Sequence, residues 1–554
     1  MVNTSLAIPA VLPYNSRFRV ALEGPGQSNG AIDGRSDYEN PDQAGNGPPQ
    51  NPIRRSAPLA KRPATFSPGS NLITDRPEVE DIASNNRPSG SRPRRIGRPA
   101  KILPTDAERR ERRRRWLFIL FMIALLVPGS FFIGPARLTP YRVFLLLAVL
   151  PLLWQVARGA LGRLTAVDAF FVSYVFWLAL ATFVHEGMAR YESIVVLTVE
   201  SLCGYLFGRV MVRNASDYRQ MMQVFLTSLL VLAPFALIEM ATDQNLVARI
   251  AGTFLEPFGQ GDLAPRMGLH RAQVSFEHPI LFGLFCSLGF ANAFYIYRLH
   301  RRKQLFWMGT SGFTTFASLS SAPLLALLLQ SMMILWDRIA RNLKAKWLIL
   351  AGTGVAVFGV LELITPNGAV DFLVNNLTLV PETAEFRILT FEYVIEKVIE
   401  YPVFGIPPDT VVLPWWHTGS IDNYWLSTAI TYGVPTTLFL FFAIVIHLVK
   451  VMGAEIAEDE ASDVRTGHLI AVAALVFLLA TVHIWGPVSV MIMIYLGAGA
   501  WIYVPEAART SVRMRANRPV PSPVRPDSAP PEPARPQPAT GRVRGSTGRY
   551  GSGA

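Results

Sequence analysis

Long apolar stretches alternate with polar connections through the middle of this chain, a pattern that predicts a bundle of membrane-spanning helices. A spanning helix needs roughly 20 mostly apolar residues. On that scale twelve stretches qualify: about 116–134, 141–157, 166–184, 193–212, 221–240, 279–297, 305–320, 322–338, 347–365, 424–449, 467–484 and 486–503. The seventh and eighth are split only by SLSSAP, from Ser318 to Pro323. Two connections are long, residues 241–278 and 366–423. Connections between packed helices are usually short, so the second of these is expected to fold as an element over the membrane surface. The expected class is an all-α polytopic membrane protein of about twelve transmembrane helices.

The connections also carry an orientation signal. With the basic N-terminal tail on the cytoplasmic side, the even-numbered connections fall on that side too. They hold Arg158 and Arg163; Arg209, Arg213 and Arg219; Arg298, Arg301, Arg302 and Lys303; and Arg338, Arg341, Lys344 and Lys346. Arg509, Arg513, Arg515 and Arg518 of the C-terminal tail join them. Excess Lys and Arg marks cytoplasmic connections, so both termini are expected inside. The acidic AEIAEDEASD near 450–466 departs from the trend, but acidic residues count little for orientation. The two long connections are then extracytoplasmic.

Outside the bundle the composition changes. Residues 1–115 and 504–554 are rich in Pro, Gly, Ser and Arg and lack sustained apolar periodicity. Both are expected to be disordered cytoplasmic tails, because neither can bury enough apolar surface to offset chain entropy. The net charge of +12 comes largely from arginine beside the membrane, with RRERRRR at Arg109–Arg115 abutting the first span. Such a run can mark nucleic-acid binding. Its position favours orientation and attraction to anionic headgroups, so membrane lipid and no nucleic acid is the expected partner. The first span starts far from Met1 and reads as an uncleaved anchor. Cys203 and Cys286, both in apolar segments, read as buried thiols.

Candidate chemistry concentrates in the two long connections. In the first, GDLAPRMGLHRAQVSFEHPILFG places Arg266, His270, Arg271, Glu277 and His278 just before the sixth span. These cations run against the positive-inside trend, which suggests an anionic ligand; a Glu277–Arg271 ion pair is compatible with one. In the second, a helix is expected over 383–401 after Pro381. Its stripe of Phe391, Val394, Ile395, Val398 and Ile399 has helical spacing, and Arg387 lies on the same face. A guanidinium there needs a partner. Either a carboxylate (Glu385, Glu392 or Asp422) or a phosphate-bearing ligand gripped in bidentate fashion supplies it.

Past the helix breakers Gly405, Pro407 and Pro408 come Trp415, Trp416 and His417. Tryptophan favours interface depth. The imidazole, with an unperturbed pKa of about 6.5, either takes a proton from a hydroxyl or sits at headgroup level without a role. Asp422 and Asn423 either orient His417 or cap the next helix. The sequence has no Walker loop, Rossmann fingerprint, HExxH or CxxC spacing. No cofactor and no metal are expected, and any reaction draws its energy from the donor substrate.

Three stretches together resemble the O-antigen ligase and O-antigen polymerase family of bacterial envelope glycosyltransferases. They are RAQVSFEHPILFG at Arg271, FRILTFEYVIEKVIEYPVFGIP at Arg387, and HTGSIDNYWLSTAITYGVP at His417. The resemblance covers about residues 115–503 and leaves the tails out. It has departures: ASLSSAP holds Ala322 and Pro323 where the family often has S-R-[GA], and Phe391 stands where tryptophan is common. The resemblance implies an inner-membrane enzyme whose active face is periplasmic. It would transfer a sugar chain from undecaprenyl diphosphate to a hydroxyl of another glycan or of lipid A core, inverting the anomeric carbon. Arg271 and Arg387 would hold the diphosphate and His417 would serve as base. Arg266, Glu277, His278, Trp416, Asp422 and Asn423 would line the substrate. Polymerisation is favoured over ligation by the F-E-H-P and S-I-D-N variants, with a co-polymerase and a flippase as expected partners. A transporter or flippase of lipid-linked oligosaccharide is the alternative; the concentration of polar residues in connections, and not inside the spans, weighs against it.

Overall fold

The computed structural model describes residues 106–504, apart from 135, 259–262, 367, 370–371, 373–381, 408–409 and 411–420. The expected disordered tails fall almost wholly outside the described residues, as do Trp415, Trp416 and His417. The chain is mostly helical with almost no sheet, in keeping with a multi-pass membrane protein. Eight described helices are long and apolar enough to cross a membrane.

Helix α1 spans Asp106–Leu126, so the arginine run is itself helical and the helix stops short of residue 134. A hairpin follows, β1 Phe131–Ile133 against β2 Ala136–Leu138. Then come α2 Pro140–Ala157, α3 Ala166–Glu186, α4 Tyr191–Thr198 and α5 Gly204–Met211. A π-helical turn, Val199–Cys203, joins α4 to α5. Next are α6 Ala215–Thr242, the short α7 Leu246–Ala251, α8 Pro279–Ile296, α9 Arg301–Ala317, α10 Ser321–Ile339 and α11 Lys346–Ile364. Helices α12 Glu382–Glu400, α13 Tyr424–Tyr432, α14 Val434–Met452, α15 Asp459–Leu479 and α16 Gly486–Ala498 complete the set. Proline opens α2, α8, α14 and α16 within their first two positions, where its missing N–H costs nothing.

The expected tenth span is two helices. Gly433 breaks it with φ +86, and a Cβ there would meet the Val403 carbonyl oxygen at 1.9 Å. Only glycine fits both the angle and the contact. Helix α8 forms the axis of the core, with 83% of its apolar window buried, whereas none of the α11 window is. Both cysteines are free and buried, as expected.

The connections gather into two sets. At one end the even-numbered ones meet: Arg114 pairs with Asp217 at 2.7 Å, Arg219 with Glu460, Arg298 with Asp463, and Lys346 with Asp337 at 2.6 Å. The acidic 450–466 connection, anomalous for orientation, is thus the counter-ion of its basic neighbours. Arg209, taken above as a connection cation, is instead fully buried and paired with Asp168 at 3.1 Å. The Tyr205 hydroxyl donates to the same carboxylate at 2.7 Å. At the other end the odd-numbered connections meet. Ser130 and Glu256 exchange backbone hydrogen bonds of 2.9 Å, and Ala272 N–H donates to the Ala317 carbonyl at 3.0 Å.

Candidate functional site

Two arms carry the candidate residues into the odd-connection end. The first is the segment after α7. It has no regular structure of its own, so its backbone donors need partners. A buried carboxylate on α6 supplies them: Glu239 accepts from Gln273 N–H at 3.1 Å, Val274 N–H at 2.9 Å and the Asn245 amide at 3.2 Å. Val274 is held at φ +50, a strained angle for a β-branched residue. The grip fixes the loop just after Arg271.

That loop delivers its arginines to the α9–α10 turn. Arg266 donates to the Leu319 carbonyl at 2.9 Å, and Arg271 donates to the Ser320 hydroxyl at 3.0 Å. Leu319 itself has φ +43. The SLSSAP segment, which lacks the arginine its resemblance would supply, thus presents neutral oxygens to two arginines from the neighbouring loop. His278 is the N-cap of α8, its Nδ1 accepting from Ile280 N–H at 3.1 Å. Burial, then the charges of Arg271 and Arg266, push its pKa down to about 4. It is a neutral acceptor, and its expected part in substrate contact competes with this capping duty. The Glu277 carboxylate receives the Trp485 indole N–H. Burial raises its pKa, against the lowering pull of that hydrogen bond and of Arg137 and Arg142.

The second arm is α12. Its apolar stripe is narrower than the sequence predicts. Val394 and Val398 are buried against Leu426, Ala429 and Ile430 of α13, while Phe391 is 48% and Ile399 72% exposed. The segment that follows is clasped to its neighbours. Ile406 N–H donates to the Ile430 carbonyl at 2.7 Å and Val434 N–H to the Pro402 carbonyl at 2.8 Å. His185 Nε2 hydrogen-bonds the Phe404 carbonyl oxygen at 2.9 Å, and Trp177 stacks on Phe404 at 5.6 Å.

Arg387, near the start of α12, reaches Asp422 at 3.7 Å. That is a loose pair, too long for a hydrogen bond. Its buried Nε has no hydrogen-bond partner among the described residues. Of the two described carboxylates considered for it, Glu392 and Asp422, Asp422 is the one that pairs with it. Asn423 caps α13, accepting from Leu426 N–H at 3.0 Å, so the adjacent pair divides its duties: Asp422 faces the arginine and Asn423 holds the helix. The arms converge. After burial, the charge of Arg387 is what depresses the pKa of Arg266.

Three further features take their meaning from the structure. Glu239 was legible as an acidic residue near the end of an apolar helix, which by itself deserves a functional question. Arg142 and Glu200 form a 2.7 Å ion pair joined by the Tyr141 hydroxyl at 3.0 Å. Glu200 lies in the π-helical turn, a distortion common at functional sites, and its charge reaches Glu277. His483, in the short connection between α15 and α16, stacks between Tyr424 and Trp485. A lone histidine in TVHIWG has no spacing that would single it out. Among the described residues no cluster of three metal-binding side chains occurs. His417 and Trp416 lie outside the described residues, so the structure brings Arg266, Arg271, Arg387, Glu277, His278, Asp422 and Asn423 to one end and is silent on those two. No protein-family model matches this chain, and no curated protein does.

Proposed function

We propose that this protein is a membrane-embedded glycosyltransferase that acts on a polyprenyl-diphosphate-linked glycan. It would polymerise repeat units for an exopolysaccharide or O-antigen, in preference to ligating chains to lipid A core. One observation carries the reading: arginines from two separate arms converge, with the charge of Arg387 acting on Arg266, while among the described residues Arg266 donates to a carbonyl oxygen and Arg387 has a loose carboxylate contact, Asp422 at 3.7 Å. Like charges drawn together cost free energy unless a ligand of opposite charge is the usual occupant. A diphosphate fits, because guanidinium groups bind its oxygens in bidentate fashion. Arg271, arriving on the same loop, adds a third donor set.

In this reading both termini are cytoplasmic, twelve spans cross the bacterial inner membrane, and the arginine end faces the periplasm. The grouping of odd and even connections at opposite ends supports that topology. The attacking hydroxyl displaces the lipid diphosphate at the anomeric carbon with inversion, and the arginines stabilise charge developing on the leaving group. A general base takes the hydroxyl proton, and the resemblance nominates His417 for that task.

The test is Arg387→Ala in a strain lacking the native gene, with the surface glycan resolved by size. Loss of the polymer supports the reading, and a normal ladder removes it. In the strain lacking the gene, single capped repeats indicate a polymerase and full-length chains held on carrier lipid a ligase. A second reading, a lipid-linked oligosaccharide flippase, has the Arg142–Glu200 pair within helices in its favour. Repeats trapped on the cytoplasmic face of the null strain would select it.

A further inference from the structure

Seven of the eight histidines are accounted for or lie out of view. His417 is outside the described residues. His300 sits in the turn before α9, and His447 and His468 hydrogen-bond each other at 2.9 Å. His185 is committed to Phe404, His270 to Asp243 and His278 to its helix cap. His483 differs. Its ring lies nearly parallel to Tyr424, with centroids 5.9 Å apart at 27°, and to Trp485, at 5.7 Å and 22°.

Both neighbours belong to the site. Tyr424 follows Asp422 and Asn423 at the head of α13, and Trp485 holds Glu277 and lies 6.5 Å from His278. The stack therefore stands between the two arms that bring in the arginines. Its Nδ1 is shielded from solvent and makes no hydrogen bond among the described residues. Buried polar atoms are nearly always paired, and leaving one unpaired is costly. An orphan imidazole nitrogen inside a cluster of ligand-binding residues marks the place of a missing polar partner.

We infer that His483, in place of the His417 that the resemblance nominates, is the group that takes the proton from the attacking acceptor hydroxyl, an inference that rests on the glycosyltransferase reading above. The hydroxyl proton moves to Nδ1 as the oxygen forms its bond to the anomeric carbon. The bond from that carbon to the diphosphate breaks, and its electron pair leaves with the lipid diphosphate against Arg266, Arg271 and Arg387. The imidazolium then returns its proton to water. Asp422, whose negative charge acts on His483, favours the imidazolium as it forms. The flanking aromatic rings hold the imidazole plane without using its Nδ1. Burial keeps the ring neutral at pH 7, with its pKa down at about 4.

The experiment uses the full chain in nanodiscs, with a glycan linked to polyprenyl diphosphate as donor and a second glycan as acceptor. His483→Gln is expected to lower kcat about 100-fold, leave the donor KM within twofold, and remove the acid limb of the kcat–pH profile. His417→Ala should keep that limb. A His483→Gln enzyme with kcat within twofold of the parent overturns the assignment. So does one whose kcat falls while the acid limb persists, since that is what a purely structural role predicts. If Gln unfolds the protein, judged by thermal melting, His483→Asn is read by the same criteria. A parent protein with no transfer from this donor removes the glycosyltransferase reading and this assignment together. That result is distinct from an active parent indifferent to position 483.

Discussion

The two ends of the bundle treat arginine in opposite ways. At the even-connection end, Arg114, Arg209, Arg219 and Arg298 each meet a carboxylate, and the pairs tie neighbouring helices together. At the odd-connection end, Arg266 donates to a carbonyl oxygen, and among the described residues Arg387 has a loose carboxylate contact at 3.7 Å. Neutralised cations hold a structure in place. Cations facing neutral oxygens keep their charge available to an incoming anion. The difference separates architecture from function without reference to any motif.

The contrast can be tested at each end. The largest effect is expected from Arg387→Ala, which should lower transfer by about 10²- to 10³-fold, the scale of losing one transition-state donor, while thermal unfolding stays near that of the parent. Activity measured beside unfolding checks both halves. Asp168→Ala at the opposite end should do the reverse. It removes the main carboxylate partner of a fully buried Arg209 and should destabilise by about 3–5 kcal/mol, read from thermal unfolding in detergent. Glu239→Gln puts an amide donor against a backbone N–H. It should cost about 1–3 kcal/mol and loosen the Arg271 loop, seen as faster hydrogen exchange at Gln273 and Val274.

Acid should weaken the site end through His278. Its folded pKa, about 4, lies below the unfolded value of about 6.5. Between those values the unfolded chain binds a proton that the folded one refuses. The stabilisation is whole above about pH 6.5 and is lost as pH falls toward 4. His278→Asn, which keeps a capping side chain, should flatten that slope in unfolding measured from pH 7 to 4.5. The smallest effect belongs to Arg298→Ala. Its pair with Asp463 is partly exposed and should contribute at most about 1 kcal/mol, with the surface glycan unchanged.

How much of this was legible depended on the range of the interaction. Apolar runs and proline starts are local, so the described helices fall within most of the expected spans, eight of them long and apolar enough to cross a membrane, and the split at SLSSAP appears as two helices with Leu319 between them. Arg271 stood out because it opposed a topological trend, and Arg387 because it shares a helix face with an apolar stripe. The break at Gly433 was written in Y-G-V-P, yet only the approach of Val403 shows why the helix must stop there. The narrow face of α12 was misjudged because periodicity names the candidates for burial but not what is available to cover them. His483 and Glu239 owe their meaning to partners far away in sequence, which no spacing reveals. Arg209 read as a connection cation because Asp168, over forty residues earlier, is invisible from its neighbourhood.

Helix α11 has a single buried residue, Trp347, and its apolar window is otherwise uncovered by the described residues. A helix gripped by neighbours inherits its tilt from them; one surrounded by lipid answers to hydrocarbon thickness. Its 19 residues rise about 28 Å at the usual helical pitch, close to the width of a typical bilayer core. In a bilayer, thickening would draw such a helix upright and thinning would lean it over, so α11 is the part of the bundle most exposed to acyl-chain length.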